Sequence, residues 1–255
     1  MLGAIIGDII GSPFEKYPIK TKNFNLFSKN SIFTDDTVMT IAIAKSLILN
    51  TNYINNIIDL GLQYNNVGYG YSFRNWLRSD NHEPYNSWGN GSAMRVSPIG
   101  FFFESEEEVL YEAKKSAEIT HNHKEGIKGA EAVALAIFMA RNNKSKEEIR
   151  ERIAEKFNYN LFRTVNEIRK DYKFQVSCQK SVPESIICFL DSTSFEDAVR
   201  NAVSLGGDSD TMACIAGGIS EAFYKDIPQN IINNVYNILP QEFLEIILLF
   251  YKNLK

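Results

Sequence analysis

Apolar residues in this chain recur at helical spacing almost from end to end. No stretch between turn signals alternates β-branched residues at the period of a strand. A chain patterned this way has to bury its apolar stripes helix against helix. Several helix starts are written locally. Ser105, three residues ahead of Glu108, opens the stripe Val109, Leu110, Ala113 and Ala117. Ser145 with Glu148 does the same for Ile149, Ile153 and Phe157, and Ser194 with Asp197 for Ala198, Val199, Ala202 and Val203. Further helices are expected from Thr34 to Leu49, Glu125 to Arg141, Thr211 to Tyr224 and Gln241 to Leu254. The pattern predicts an all-α fold of about a dozen helices in one domain over residues 1–255, with no linker and no fixed-period repeat. The charged, helix-prone segment 142–173 is expected to form an outer layer.

The 255 residues are 44% hydrophobic, enough for a substantial core and far from the composition of a disordered chain. Lys plus Arg number 27 against 31 for Asp plus Glu, a net charge of −4, which argues against non-specific nucleic-acid binding. The opening MLGAIIGDIIG lacks a basic start and is interrupted by Asp8, so it reads as a buried helix rather than a signal peptide. No apolar run is long enough to span a bilayer, so no membrane partner is expected. Cys178, Cys188 and Cys214 form no CxxC and read as reduced core thiols, the pattern of a cytoplasmic protein. The stretch Val67 to Gly100 mixes Gly68, Gly70, Gly89, Gly91 and Gly100 with Tyr69, Tyr71, Trp76, Tyr85 and Trp88. Glycines beside aromatics suit a flat ligand whose phosphates approach the backbone.

Two acidic clusters precede unusually apolar segments. Thr34-Asp35-Asp36-Thr37 stands before VMTIAIAKSLIL, and Asp208-Ser209-Asp210-Thr211 before MACIAGGISEAF. Taken singly, each is accounted for by capping: Thr34 as N-cap with Asp35 and Asp36 on the helix dipole, and Asp208 or Asp210 as the cap of the second helix. Taken together they are harder to dismiss, because both following helices are apolar on all sides, and buried carboxylates are costly without compensating cations. Gly217 and Gly218 would also admit a close neighbouring helix. Glu15 follows a Gly11-Ser12-Pro13 turn and by itself reads as a solvated loop residue. With Glu15 included, five carboxylates supply −5 against the +4 of two divalent ions, from oxygen donors that favour Mg²⁺, Mn²⁺ or Ca²⁺ over Zn²⁺.

The ordered motifs GDxxGSPxE, FTDDT, GNGSAMR, a Thr-His step and LGGDSDT resemble those of the ADP-ribosylglycohydrolases, from Gly3 to Tyr224. The resemblance implies an all-α orthogonal multi-helix bundle around a binuclear Mg²⁺ or Mn²⁺ centre. It implies a hydrolase that releases ADP-ribose from a modified protein side chain, or a related conjugate, by cleavage at C1″ of the distal ribose. Carried over, the metal ligands are Thr34, Asp35, Asp36, Asp208, Asp210 and Thr211, with Glu15, Asp35, Asp36 and Asp210 serving catalysis. Gly70, Ser87, Trp88, Gly89, Asn90, Gly91, Ser92 and His121 are implied to bind ADP-ribose. Trp88 stands where some relatives have tyrosine, and the loop from Arg78 to Ser87 follows its own pattern, which leaves the acceptor open. His82 and His123 are expected at the surface. The expected partner is an ADP-ribosylated protein or conjugate, nucleic acid only if it carries the modification, and the chain is expected to act as a monomer.

Other classes fit less well. A catalytically silent ADP-ribose-binding module would be expected to lack part of the acidic set, which is complete here. An HD-type phosphohydrolase needs His-Asp pairs, and a terpene synthase needs DDxxD where this chain has Asp35-Asp36-Thr37-Val38-Met39.

Overall fold

A computed structural model describes residues 1–254, and among them helices follow one another without a strand. They are α1 (Leu2–Lys16), α2 (Asp35–Leu49), α3 (Tyr53–Gln63), α4 (Tyr71–Leu77), α5 (Ser97–Phe102), α6 (Glu106–Glu118) and α7 (Lys124–Arg141). They continue with α8 (Lys146–Phe157), α9 (Val165–Asp171), α10 (Cys178–Leu190), α11 (Phe195–Val203), α12 (Ser209–Tyr224), α13 (Gln229–Tyr236) and α14 (Gln241–Asn253). One 3₁₀ turn lies at Asn90–Ser92. The all-α expectation holds, and the expected helices fall within two residues of the observed ones. The capping signals work as written: Ser145 and Glu148 form a reciprocal box, and Ser105 and Ser194 each accept from the amide three residues on. Segment 67–100 is less irregular than its glycines suggest, since it holds α4, the 3₁₀ turn and the start of α5.

Helix α12 is the hub. It is buried nearly throughout, α1 packs along it most extensively, and α7, α10 and α11 surround the rest. Helix α2 is covered by α3 and α14, while α6 and α8 pack on α7 from outside. Within segment 142–173, α8 turns Ile149, Ile153 and Phe157 inward and keeps its charged residues outside the core, as expected of an outer layer. The α1–α12 contact is backbone against backbone. A Cβ on Gly7 would stand 2.0 Å from the Ala213 carbonyl oxygen, and one on Gly11 2.3 Å from that of Ser209. Gly217 faces Gly3 in the same way, whereas a Cβ on Gly218 would meet only side chains, the nearest at 3.3 Å, so the backbone-to-backbone approach belongs to Gly217. All three cysteines are buried and free, and among the described residues no helix is long and apolar enough to cross a membrane.

The opening helix corrects one expectation. Gly11-Ser12-Pro13 does not form a turn; α1 runs through Pro13 to Lys16. Proline lacks the N–H that would bond to the carbonyl four residues back, which here is Ile9. The Ser12 hydroxyl supplies the missing donor to that carbonyl at 3.0 Å and accepts from the Ile32 amide at 3.1 Å. Glu15 therefore sits on the last helical turn, half-buried, seven residues from Asp8 and on the same face.

Candidate active site

The starts of two helices meet one face of a third. Helix α1 brings Asp8 and Glu15, the start of α2 brings Thr34, Asp35 and Asp36, and the start of α12 brings Asp208, Asp210 and Thr211. Oxygens of Asp8, Asp36 and Asp210 lie within 4.8 Å of one another, and so do oxygens of Glu15, Asp208 and Asp210. Asp210 joins the two groups. Among the described residues, no lysine or arginine forms a salt bridge with any of these carboxylates. Asp35 lines the same cavity but stands outside both close groups. Gly68 lies beside it with φ +107°, and a Cβ there would stand 3.2 Å from the Asp35 carboxylate.

The hydrogen bonds divide the acids by role. Asp8 is engaged four times: Thr34 and Thr37 each donate their amide and their hydroxyl to its carboxylate. It locks the start of α2 onto α1 and does not line the cavity; its sequence signal was the acid of GDxxGSPxE, set in an apolar run. Thr34 also caps α2, accepting from the Asp36 amide at 3.3 Å, as expected. Asp208 occupies the N-cap of α12 without a capping bond; its carboxylate accepts from Asn90 Nδ2 at 2.7 Å. Asp210 accepts locally from the Thr211 amide at 2.9 Å. Asp36 Oδ2 accepts from the Thr211 hydroxyl at 3.1 Å, while its Oδ1 is buried without a partner.

Burial, with the neighbouring negative charge, pushes these groups toward the protonated form. Asp208 and Asp8 rise to about 6 and Asp35 to about 8, while Asp36 and Asp210 rise well above the carboxylate range. In each case loss of water is the larger cause, and for Asp35, Asp36 and Asp210 nearby acids add to it. Crowded buried acids, an orphaned carboxylate oxygen and an all-oxygen donor set together fit hard divalent cations.

The acids form one end of a cavity of about 410 Å³, a size suited to a small-molecule ligand. Gly70, Ser87, Gly89, Asn90, Gly91 and His121 line it with Glu15, Thr34, Asp35, Asp36, Asp208, Asp210 and Thr211. Two residues of the implied binding stretch are elsewhere. Trp88 is 54% exposed with its ring 5.7 Å from that of His123, and Ser92 is buried with its hydroxyl donating to the Gly126 carbonyl. His123 accepts from the Glu125 amide as the N-cap of α7, a structural use of a residue expected at the surface. His82, also expected there, is partly buried against Trp76.

Further residues line the cavity, among them Tyr69 of the glycine-aromatic stretch and Arg95, Phe174 and Val176. Tyr69 is buried with an unpartnered hydroxyl, and Arg95 is buried at the end of GNGSAMR. Phe174 and Val176 had no local signal. They arrive because the segment before α10 pairs with the glycine loop, the Asn90 amide donating to the Val176 carbonyl and the Cys178 amide to that of Trp88.

A family model described as ADP-ribosylglycohydrolase matches residues 1–253. An ADP-ribosylhydrolase ARH3 of Xenopus tropicalis is 26% identical, over 90% of this chain and 88% of the relative. An ADP-ribosylarginine hydrolase Tri1 of Pseudomonas putida is 25% identical, over 88% of this chain and 69% of the relative. A solved structure titled as an ADP-ribosylglycohydrolase-related protein complex shares the fold, with a TM-score of 0.75, 23% identity, and coverage of 99% of this chain and 95% of its own.

Proposed function

The chain belongs to the ADP-ribosylglycohydrolase family, and on that premise we propose that it is a metal-dependent hydrolase that frees ADP-ribose from a modified side chain or related conjugate. The bond cleaved is the one at C1″ of the distal ribose. The observation that carries the reading is the convergence of the two carboxylate groups on one wall of the cavity whose other wall is the 87–91 loop and His121. The cavity is thus acidic at one end and lined by glycine backbone and a histidine at the other, which matches a ribose with its hydroxyls at the acids and a diphosphate beyond.

Thr34, Asp35, Asp36, Asp208, Asp210 and Thr211 are the proposed ligands of two Mg²⁺ or Mn²⁺ ions. Bound there, such ions supply Lewis acidity toward ribose hydroxyls and an attacking water. The remaining work falls to the chain. Glu15, at the half-exposed edge of its group, is placed to accept the proton of the water attacking C1″. Negative charge on the acidic wall stabilises the oxocarbenium-like ribose as the leaving group departs. Asn90 holds Asp208 in place, and Asp8 holds Thr34 and the start of α2. The acceptor is expected at the cavity mouth, where Tyr71 and Phe174 are exposed.

The test is a panel of defined ADP-ribosyl conjugates on arginine, on serine, on a base and as a small ester, each incubated with and without chelator and scored for free ADP-ribose. Release from at least one conjugate, abolished by chelation, is the expected result. No release from any conjugate in the presence of Mg²⁺ or Mn²⁺ would remove the reading.

A further inference from the structure

Arg95 is the largest of the fully buried side chains, at 1% exposure, and forms no salt bridge with a carboxylate. It is the one lysine or arginine lining the cavity among the described residues, and one nitrogen of its guanidinium serves two neutral acceptors. Nη2 donates to the Ser116 carbonyl at 2.6 Å and to the Thr120 hydroxyl at 3.0 Å, while Nε is buried without a partner. The Thr120 hydroxyl in turn lies 2.7 Å from His121 Nδ1. Arginine can only donate, so the Thr120 oxygen accepts at that end and its own hydrogen is left to find an acceptor elsewhere. Thr120 is fully buried, and if its hydroxyl hydrogen did not go to His121 Nδ1 it would lack an acceptor. Nδ1 therefore accepts, and the ring proton sits on Nε2.

Nε2 is the nitrogen turned to the glycine loop of the cavity: a Cβ on Gly91 would stand 3.2 Å from it and one on Gly89 3.5 Å. Burial and the nearby Arg95 charge hold His121 well below the usual imidazole range, so at neutral pH the ring is uncharged. Besides Arg95, the titratable group facing the ring is Tyr85, at 5.9 Å between centroids.

We propose that Arg95 is a positioning residue that, through the Thr120 hydroxyl, locks His121 in the Nε2–H tautomer and so presents a neutral donor to an anionic ligand group in the cavity. The arrangement reconciles two requirements. An unpaired imidazolium beside a buried arginine would be repelled, yet a free imidazole would offer the cavity an acceptor lone pair about as readily as a donor. With the relay, the 87–91 wall receives a diphosphate on an N–H that does not depend on protonating the ring. The identity of the anion rests on the ADP-ribose reading, whereas the tautomer does not.

The experiment separates the two. In ¹⁵N-histidine-labelled protein, the His121 nitrogen shifts report the tautomer without any ligand, and calorimetry with ADP-ribose and with adenosine reports the anion. The wild type is expected to show the Nε2–H signature, retained in Thr120→Ser and shifted to a mixture of tautomers in Thr120→Val and Arg95→Met. Thr120→Val should bind ADP-ribose about tenfold more weakly, the size of one hydrogen bond, with adenosine affinity unchanged. An Nε2–H signature that persists unaltered in Thr120→Val and Arg95→Met would overturn the proposal, as would equal losses for ADP-ribose and adenosine. Relay signatures as expected in a wild type that binds no ADP-ribose would uphold the positioning and sink the ligand reading instead.

Discussion

Residues that carry chemistry here are told apart by what already occupies their oxygens. Asp8 is engaged by four hydrogen bonds from Thr34 and Thr37, while Asp36 keeps an oxygen buried and free. Asp36→Asn is accordingly expected to lower ADP-ribose release on the order of 10²–10³-fold, measured on a cleaved conjugate. In chelated protein the same substitution should raise the melting temperature, since an amide there avoids the cost of taking up a proton that the buried acid must bind on folding. A variant with lower stability and full activity would speak against Asp36 as a ligand. Asp8→Asn should behave in the opposite way. An amide nitrogen cannot accept the threonine donors, so the fold should lose about 2–4 kcal/mol in denaturant unfolding. The two clusters at helix starts were legible in the sequence because acids there are conspicuous against apolar helices. Asp8 was visible as an interruption of MLGAIIGDIIG and as the acid of GDxxGSPxE, but its bracing role was not, since its threonine partners lie 26 and 29 residues away.

Elements hold these residues in register chiefly through the α1–α12 contact. Gly3, Gly7 and Gly11 let α1 lie directly on the backbone of α12, and the same two helices carry Glu15 and the Asp208–Asp210 pair. Gly7→Ala forces the helices apart at 2.0 Å from a backbone oxygen that cannot move as a side chain tip can. The expected outcome is a loss of about 3 kcal/mol and of most activity, with calorimetric stability and turnover measured together. Ser12→Ala tests the passage through Pro13. It strips the Ile9 carbonyl of its donor and the Ile32 amide of its acceptor, and should cost about 1–3 kcal/mol. A neutral Ser12→Ala would mean that α1 needs no such support. Most helices were readable from periodicity and caps, whereas the course of α1 was not. The rule that proline ends a helix is local, and the hydroxyl that overrides it acts one residue before the proline. The Phe174–Val176 wall was equally hidden, because its pairing with residues 88–90 bridges more than eighty positions of unrelated sequence.

At the scale of the whole molecule, the modest net charge of −4 conceals its most consequential charges, which lie inside. Asp35 moves from its ordinary 3.8 to about 8, and Asp8 and Asp208 to about 6, so the folded chain binds these protons more tightly than the unfolded chain does. Their contribution to stability is complete below about pH 4 and is lost as the pH rises through 6 and on to 8. Chelated protein should therefore melt at a lower temperature at pH 8 than at pH 5. If the cluster binds Mn²⁺ in its deprotonated form, as proposed, saturating ion should abolish or reverse that trend. Thermal melts across this range, with and without the ion, check both halves.

The claim on which the rest depends is that the acids from α1, α2 and α12 form a cradle for divalent cations. Calorimetric titration of Mn²⁺ into chelator-stripped protein tests it most directly. Two ions per chain are expected, with binding lost in Asp36→Asn and in Asp210→Asn. A wild type that takes up no ion, or variants that bind it as the wild type does, would contradict the account.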